Sequence, residues 1–141
     1  MGLVVYTGGS FDLFHAGHVN FLKQCAQYGE VTVVLNTDEF IEEYKGKPPV
    51  MRYDERAYVL EACRYVDQVI PNTGGADSKE TLDLVMPNIL AVGSDWATKD
   101  YYKQMMITQG WLDARDIHLL YIPYTQGIST TELKKRINAI P

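Results

Sequence analysis

Five short apolar runs, at residues 3–6, 31–35, 67–70, 89–92 and 117–122, recur along the chain, and stretches of helical character separate them. Runs this short and this apolar read as strands buried on both faces, which belong in a parallel sheet covered by helices. The helices are expected at 18–28, 38–43, 54–64, 78–86, 99–109 and 129–139. Strand and helix alternate throughout, so the fold class is α/β, with a five-stranded parallel sheet and helices on both of its faces. A chain of 141 residues can build one such core but not two ordinary domains, so a single domain spanning 1–141 is expected.

In an open α/β sheet, ligands gather at the carboxyl ends of the strands. The first such end is residues 7–18, Thr-Gly-Gly-Ser-Phe-Asp-Leu-Phe-His-Ala-Gly-His, between the first strand and the first helix. Gly8, Gly9 and Gly17 remove side chains where backbone N–H groups would approach an anion. His15 and His18 stand three residues apart, on one face if the turn is helical there. Two imidazoles over a ring of backbone donors can strengthen their hydrogen bonds as charge builds on a phosphoryl group, which is the chemistry of phosphoryl or nucleotidyl transfer. A metal pair is the competing reading. Structural zinc takes four Cys or His ligands, and the chain offers only His118, Cys25 and Cys63 besides, none in close-spaced pairs, so no protein metal site is expected.

The apolar and charged fractions, 46% and 22%, are those of a globular protein. Two distant cysteines make no disulfide framework, Met1-Gly2 leads into a strand without a basic leader, and no apolar run nears 18 residues. A cytoplasmic location away from membranes is the expectation. A net charge of -5 argues against non-specific nucleic-acid binding, so an anionic substrate needs a local basic patch. Five of the 13 basic residues, Lys45, Lys47, Arg52, Arg56 and Arg64, fall within 20 positions, around the flexible and then stiff Lys45-Gly46-Lys47-Pro48-Pro49. Lysines on such a loop can close over a phosphate.

Other strand ends carry further candidates. Asp38 either caps the short second helix or touches substrate. Arg64 suits the C-terminal end of its helix by charge. In Gly93-Ser94-Asp95-Trp96, Asp95 can accept from an exocyclic amine or a ribose hydroxyl, and Trp96 offers a stacking face. Ser129 and Glu132 have capping-box spacing, which makes Ser129 the N-cap of the last helix. Its free N–H groups and the hydroxyls of Ser129, Thr130 and Thr125 can hold a triphosphate. Two helix starts, near 17 and 129, thus converge on one sheet edge, one for the α-phosphate and one for the β and γ groups.

Ser-Phe-Asp-Leu-Phe-His-Ala-Gly-His resembles the His-x-Gly-His signature of the nucleotidyltransferase superfamily, with Ser10 where Thr is usual. Arg64 to Ile70 and Gly93-Ser94-Asp95-Trp96 are similar to runs in cytidylyltransferases. Tyr124 to Thr131 resembles the Arg-Thr-Glu-Gly-Ile-Ser-Thr-Thr signature of enzymes acting on glycerol 3-phosphate and related phospho-alcohols. Tyr124 replaces the signature Arg and Gln126 the Glu, so either another cation such as Lys99 supplies that charge or the alcohol differs.

The resemblance implies a Rossmann-like fold, a homodimer, and transfer of CMP from CTP to a small phosphorylated alcohol, glycerol 3-phosphate first, with Mg²⁺ bound along with the triphosphate. It assigns catalysis to His15, His18 and Lys47, and substrate phosphate to Lys45, Lys47 and Arg56. Nucleotide binding falls to Thr7, Gly8, Gly9, Ser10, Phe11, Asp12, His15, His18, Arg64, Asp95, Trp96, Tyr124, Thr125, Gly127, Ile128, Ser129 and Thr130. The alternatives are an ATP-dependent adenylyltransferase acting on a cofactor precursor, which Asp95, Trp96 and Arg64 argue against, and a non-catalytic nucleotide-binding module.

Overall fold

The computed structural model describes residues 2–141, with the side chains of Trp96 and Thr98 outside that description. Five parallel strands, β1 (Val4–Gly9), β2 (Glu30–Leu35), β3 (Gln68–Pro71), β4 (Ile89–Gly93) and β5 (His118–Ile122), lie in the order β3-β2-β1-β4-β5. The first half of the chain builds outward from β1 through β2 to β3. The second half returns to β4, beside β1, and continues to β5. The direction of winding therefore reverses between β1 and β4, and the crevice beyond their carboxyl ends is where such a sheet takes ligands.

Strand alternation divides the core into two layers. Val5, Val31, Val33, Leu35, Ala91 and Ile122 face α1 (Ala16–Ala26) and α3 (Tyr53–Glu61), where Phe21, Leu22, Cys25, Ala57 and Leu60 meet them. Tyr6, Val34, Leu90 and Val92 face the other way, toward α4 (Lys79–Val85), α5 (Tyr101–Met105) and α6 (Gln109–Asp113) through Leu82, Tyr101 and Leu112. Leu22 is fully buried, and burial of a side chain this size contributes about 1.5–3 kcal/mol. Both layers are needed because a parallel strand has no solvent face.

Each expected strand forms, shifted by a residue or two, and β1 runs on to Gly9. The second helix is α2 (Asp38–Lys45), and the last is α7 (Thr130–Asn138). The helix expected at 99–109 is instead two. α5 ends at Met106, whose φ of 56° is left-handed, and α6 starts afresh with Thr108 as N-cap, accepting from Trp111 N–H. Ahead of them a 3-10 turn, Ser94–Thr98, follows β4. No helix is long and apolar enough to cross a membrane among the described residues.

Candidate active site

The turn after β1 opens α1 in an unusual way, because the caps are imidazoles. His15 is the N-cap, in extended conformation, and its Nδ1 accepts the Gly17 N–H at 3.0 Å. His18 Nδ1 accepts the His15 N–H in return, at 3.2 Å. Gly17 makes this possible, since a Cβ there would come within 2.8 Å of His15 Cε1. A backbone amide can only donate, so neither Nδ1 carries a proton, and a neutral ring then holds its hydrogen on Nε2. Burial lowers the His15 pKa. His18 is lowered to about 4, chiefly by burial and further by the charge of His15, with Asp12 pulling the other way. The rings stack 3.8 Å apart between centroids, and Phe14 stacks on His18 at 5.4 Å. Near neutral pH the chain thus presents two fixed, uncharged Nε2–H donors on the cavity wall.

The second helix start lies opposite. Ser129 Oγ accepts the Glu132 N–H at 3.0 Å and caps α7. The approach to α7 is tied to α1: Asn20 Nδ2 donates to Thr125 Oγ1 at 3.0 Å, and the Thr130 hydroxyl donates to the Asp12 carbonyl at 2.8 Å. Ile128 would stand 3.4 Å from a Cβ on Gly17. Gly17 and His18 of one helix start and Ser129 and Thr130 of the other line the same space.

That space is a cavity of about 930 Å³. It crosses the sheet edge and has two unlike ends. One is formed by the histidines and the entrance to α7. The other lies over the far sheet face, lined by Tyr6, Phe40, Tyr44, Tyr101, Gln104 and Met105, with no charged side chain. Tyr44 closes its rim by donating to Gln104 Oε1 at 3.3 Å. Along the floor, Asn36 Nδ2 donates to Ser10 Oγ at 3.3 Å, and Asn72 Nδ2 donates to Asn36 Oδ1 at 3.0 Å. Sequence reasoning missed Asn36, Asn72 and the aromatic end. Asn36 was detectable, because it directly follows the apolar run 31–35 at a strand end.

Of the expected nucleotide residues, Thr7, Gly8, Gly9, Ser10, Phe11, His15, His18, Tyr124, Thr125, Gly127, Ile128, Ser129 and Thr130 line this cavity. Lys45 and Lys47 are exposed and off its wall, on the rim-side end of α2 and the loop after it. Asp95 reaches the site through Tyr124, whose hydroxyl lies beside the Asp95 carboxylate. Burial and that carboxylate together raise the Tyr124 pKa to about 12. Lys99 pairs with Asp95 at 3.3 Å, so the cation considered as a stand-in for the signature Arg is committed to Asp95. The Trp96 side chain lies outside the described residues.

Three assignments are corrected. Arg56 was expected on substrate phosphate, but it is 1% exposed and works inside the protein. Its Nε donates to Met51 O, its Nη1 to the carbonyls of Ser10 and Asn36, each at 2.9 Å, and its Nη2 to Asp38 at 2.7 Å. Asp38 is therefore Arg56's counter-ion, and Thr37 is the cap of α2, accepting from Phe40 N–H. Asp12, expected on the nucleotide, turns its carboxylate to the backbone of Val50 at 2.7 Å and Met51 at 2.9 Å. Arg64 falls at the opposite edge of the sheet. It follows α3, which runs back to the start of β3, where Asp67 N–H pairs with the first turns of β2 at Val31 O.

Comparison with known proteins agrees with this geometry. The profile of the Cytidylyltransferase-like family matches residues 6–136. The chain is 37% identical over 137 residues to glycerol-3-phosphate cytidylyltransferase of Bacillus subtilis (strain 168), covering 94% of this chain and 95% of that one. It is 41% identical over 142 residues to FAD synthase of Thermococcus sibiricus, covering 96% and 90%. Among solved structures, the lipopolysaccharide core biosynthesis protein of Thermoplasma volcanium superposes with a TM-score of 0.70 at 25% identity, over 89% of this chain and 98% of that one. A family match over nearly the whole chain, joined to a histidine-capped helix start at the sheet's switch point, makes this chain a member of the cytidylyltransferase-like family of nucleotidyltransferases.

Proposed function

We propose that the protein transfers CMP from CTP to a small phosphorylated alcohol, with glycerol 3-phosphate the first candidate, releasing pyrophosphate. The observation that carries this reading is the pair of Nε2–H donors on a helix start that faces a second helix start across one cavity. An oxygen of the acceptor phosphate attacks the α-phosphorus in line. A new P–O bond forms there, the bond to the bridging β-oxygen breaks, and pyrophosphate leaves with the electron pair. His15 and His18 donate to the α-phosphoryl oxygens as their charge spreads, and the α7 N–H groups hold the leaving phosphates. No protein nucleophile takes part. Lys47 adds positive charge from the loop beyond α2.

The described residues gather no group of three His, Cys, Asp or Glu side chains able to hold a metal. Magnesium would arrive on the triphosphate and would supply neutralisation of its charge. The homodimer implied by resemblance belongs to the same proposal, and light scattering of the purified chain tests it.

A second reading rests on the aromatic end of the cavity. Four rings and Met105 with no charge suit a planar group better than glycerol, and relatives named FAD synthase share the chain's length. This reading is adenylyl transfer from ATP to a phosphorylated planar cofactor such as flavin mononucleotide. The deciding experiment is pyrophosphate release with CTP, ATP, GTP and UTP against glycerol 3-phosphate, phosphoethanolamine, sugar phosphates and flavin mononucleotide. Selective turnover of CTP with a phospho-alcohol upholds the first reading. ATP with the flavin replaces it by the second, and no turnover with any pair removes both.

A further inference from the structure

We infer that Asp12 is a positioning residue that acts through Lys47: it fixes the anchor from which the lysine loop reaches the transferred phosphate. The inference rests on the proposed role of Lys47 and adds what sets it. Residues 46–51 leave α2 and return toward α3 past the histidine turn. At the near end, Gly46 ends α2 with φ 78°, and nothing stands within 4 Å of where its Cβ would be. Among the described residues Lys47 makes no hydrogen bond or ion pair, and Pro48 and Pro49 have no N–H to give. At the far end the chain is gripped from two sides. Asp12 accepts the N–H groups of both Val50 and Met51, and Arg56 donates to the Met51 carbonyl.

Asp12 is itself held with unusual firmness. Its neighbours Phe11 and Leu13 both adopt left-handed backbone, φ 49° and 51°, which costs about 1–3 kcal/mol per residue and persists only where surroundings impose it. Its carboxylate also accepts the Leu13 N–H at 3.1 Å, and its carbonyl accepts the Thr130 hydroxyl. One residue therefore joins the histidine turn, the start of α7 and the fixed end of the lysine loop. With that end clamped and the Gly46 end held only by its N–H to Glu42 O, the stiff Pro48-Pro49 pair makes the segment an arm. The arm's position relative to His15 and His18 is set at Asp12.

A double-mutant cycle tests this. Asp12→Asn keeps the shape but offers one acceptor oxygen where two N–H groups converge. In the wild-type background it should lower kcat about tenfold with KM for the nucleotide little changed, and in a Lys47→Ala background by less than about twofold, because residues acting through one another are not additive. Equal losses in both backgrounds would overturn the coupling while leaving Lys47 in its role. If Lys47→Ala alone leaves kcat unchanged, the proposed role of Lys47 fails and the inference falls with it. Should Asp12→Asn not fold, Val50→Pro removes the 2.7 Å donor from the exposed loop instead, and the same cycle applies.

Discussion

Arg56 reaches Ser10 across 46 residues of sequence, its Nη1 donating to the Ser10 carbonyl at 2.9 Å from a fully buried side chain. The same nitrogen holds Asn36 O, so the carboxyl ends of β1 and β2 share one cation. A guanidinium used this way is part of the frame on which the site is built. Arg56→Leu leaves three carbonyls and the Asp38 carboxylate without their donor, and should cost about 3–5 kcal/mol in urea unfolding. Arg56→Lys should recover only part of that, since an ammonium cannot span the fork. A pure phosphate contact would instead raise KM with stability unchanged.

His15 and His18 should each be irreplaceable as donors yet dispensable for binding. Replacing either by Ala is expected to lower kcat by about 10²–10³, the cost of one preorganised transition-state donor. Isothermal titration with the nucleotide should show its Kd within a few-fold of the wild type, because the helix N–H groups remain.

The lowered pKa of His18 makes a stability prediction with a definite sign. The unfolded chain takes up a proton near pH 6.5 and the folded one only near 4, so between these values the unfolded state binds more protons. Stability should be fully present above pH 6.5 and fall as the pH drops toward 4. His18→Gln removes that contribution, and its urea midpoint should depend less on pH in this window. Histidine ¹⁵N NMR should also find Nδ1 of His18 unprotonated from pH 8 down to 6.

Gly93 and Tyr124 are fitted to each other. A Cβ on Gly93 would fall on the Tyr124 ring, which also lies against Phe21 with centroids 6.4 Å apart. Gly93→Ala should displace the ring and raise KM for the nucleotide about tenfold, with the fold intact by circular dichroism. Adding Tyr124→Ala should restore much of the loss. If the double variant is worse than Gly93→Ala alone, the ring is not the obstacle.

The sheet was legible because parallel strands carry continuous apolar runs, and Val31 to Leu35 can be little else. The histidine turn was legible because glycines and two imidazoles in twelve residues have few structural uses. What could not be read was direction. Arg56 and Arg64 look alike in sequence, eight residues apart around one helix, but α3 carries the first inward at the site's edge and the second to the other end of the sheet. Asp12 looked like a ligand because its side chain sits among ligands, and its partners, Val50 and Met51, are backbone groups that leave no mark in composition. The aromatic end of the cavity was hidden for another reason: it is assembled from β1, α2 and α5, three places with no common motif.

No Lys or Arg side chain lines the cavity among the described residues, and its two histidines are neutral. A nucleotide bound there as proposed would be held by oriented N–H dipoles, which are short-ranged and not exchanged for dissolved ions. Lys45, at the end of α2, and Lys47, on the arm, stand outside and exposed, where salt screens them within about 10 Å at 0.1 M. Ionic strength should therefore act on the approach of substrate and on Lys47 far more than on the occupied site. On the proposed function, a protein with a net charge of -5 repels polyanions at large and still accepts one triphosphate at a single place.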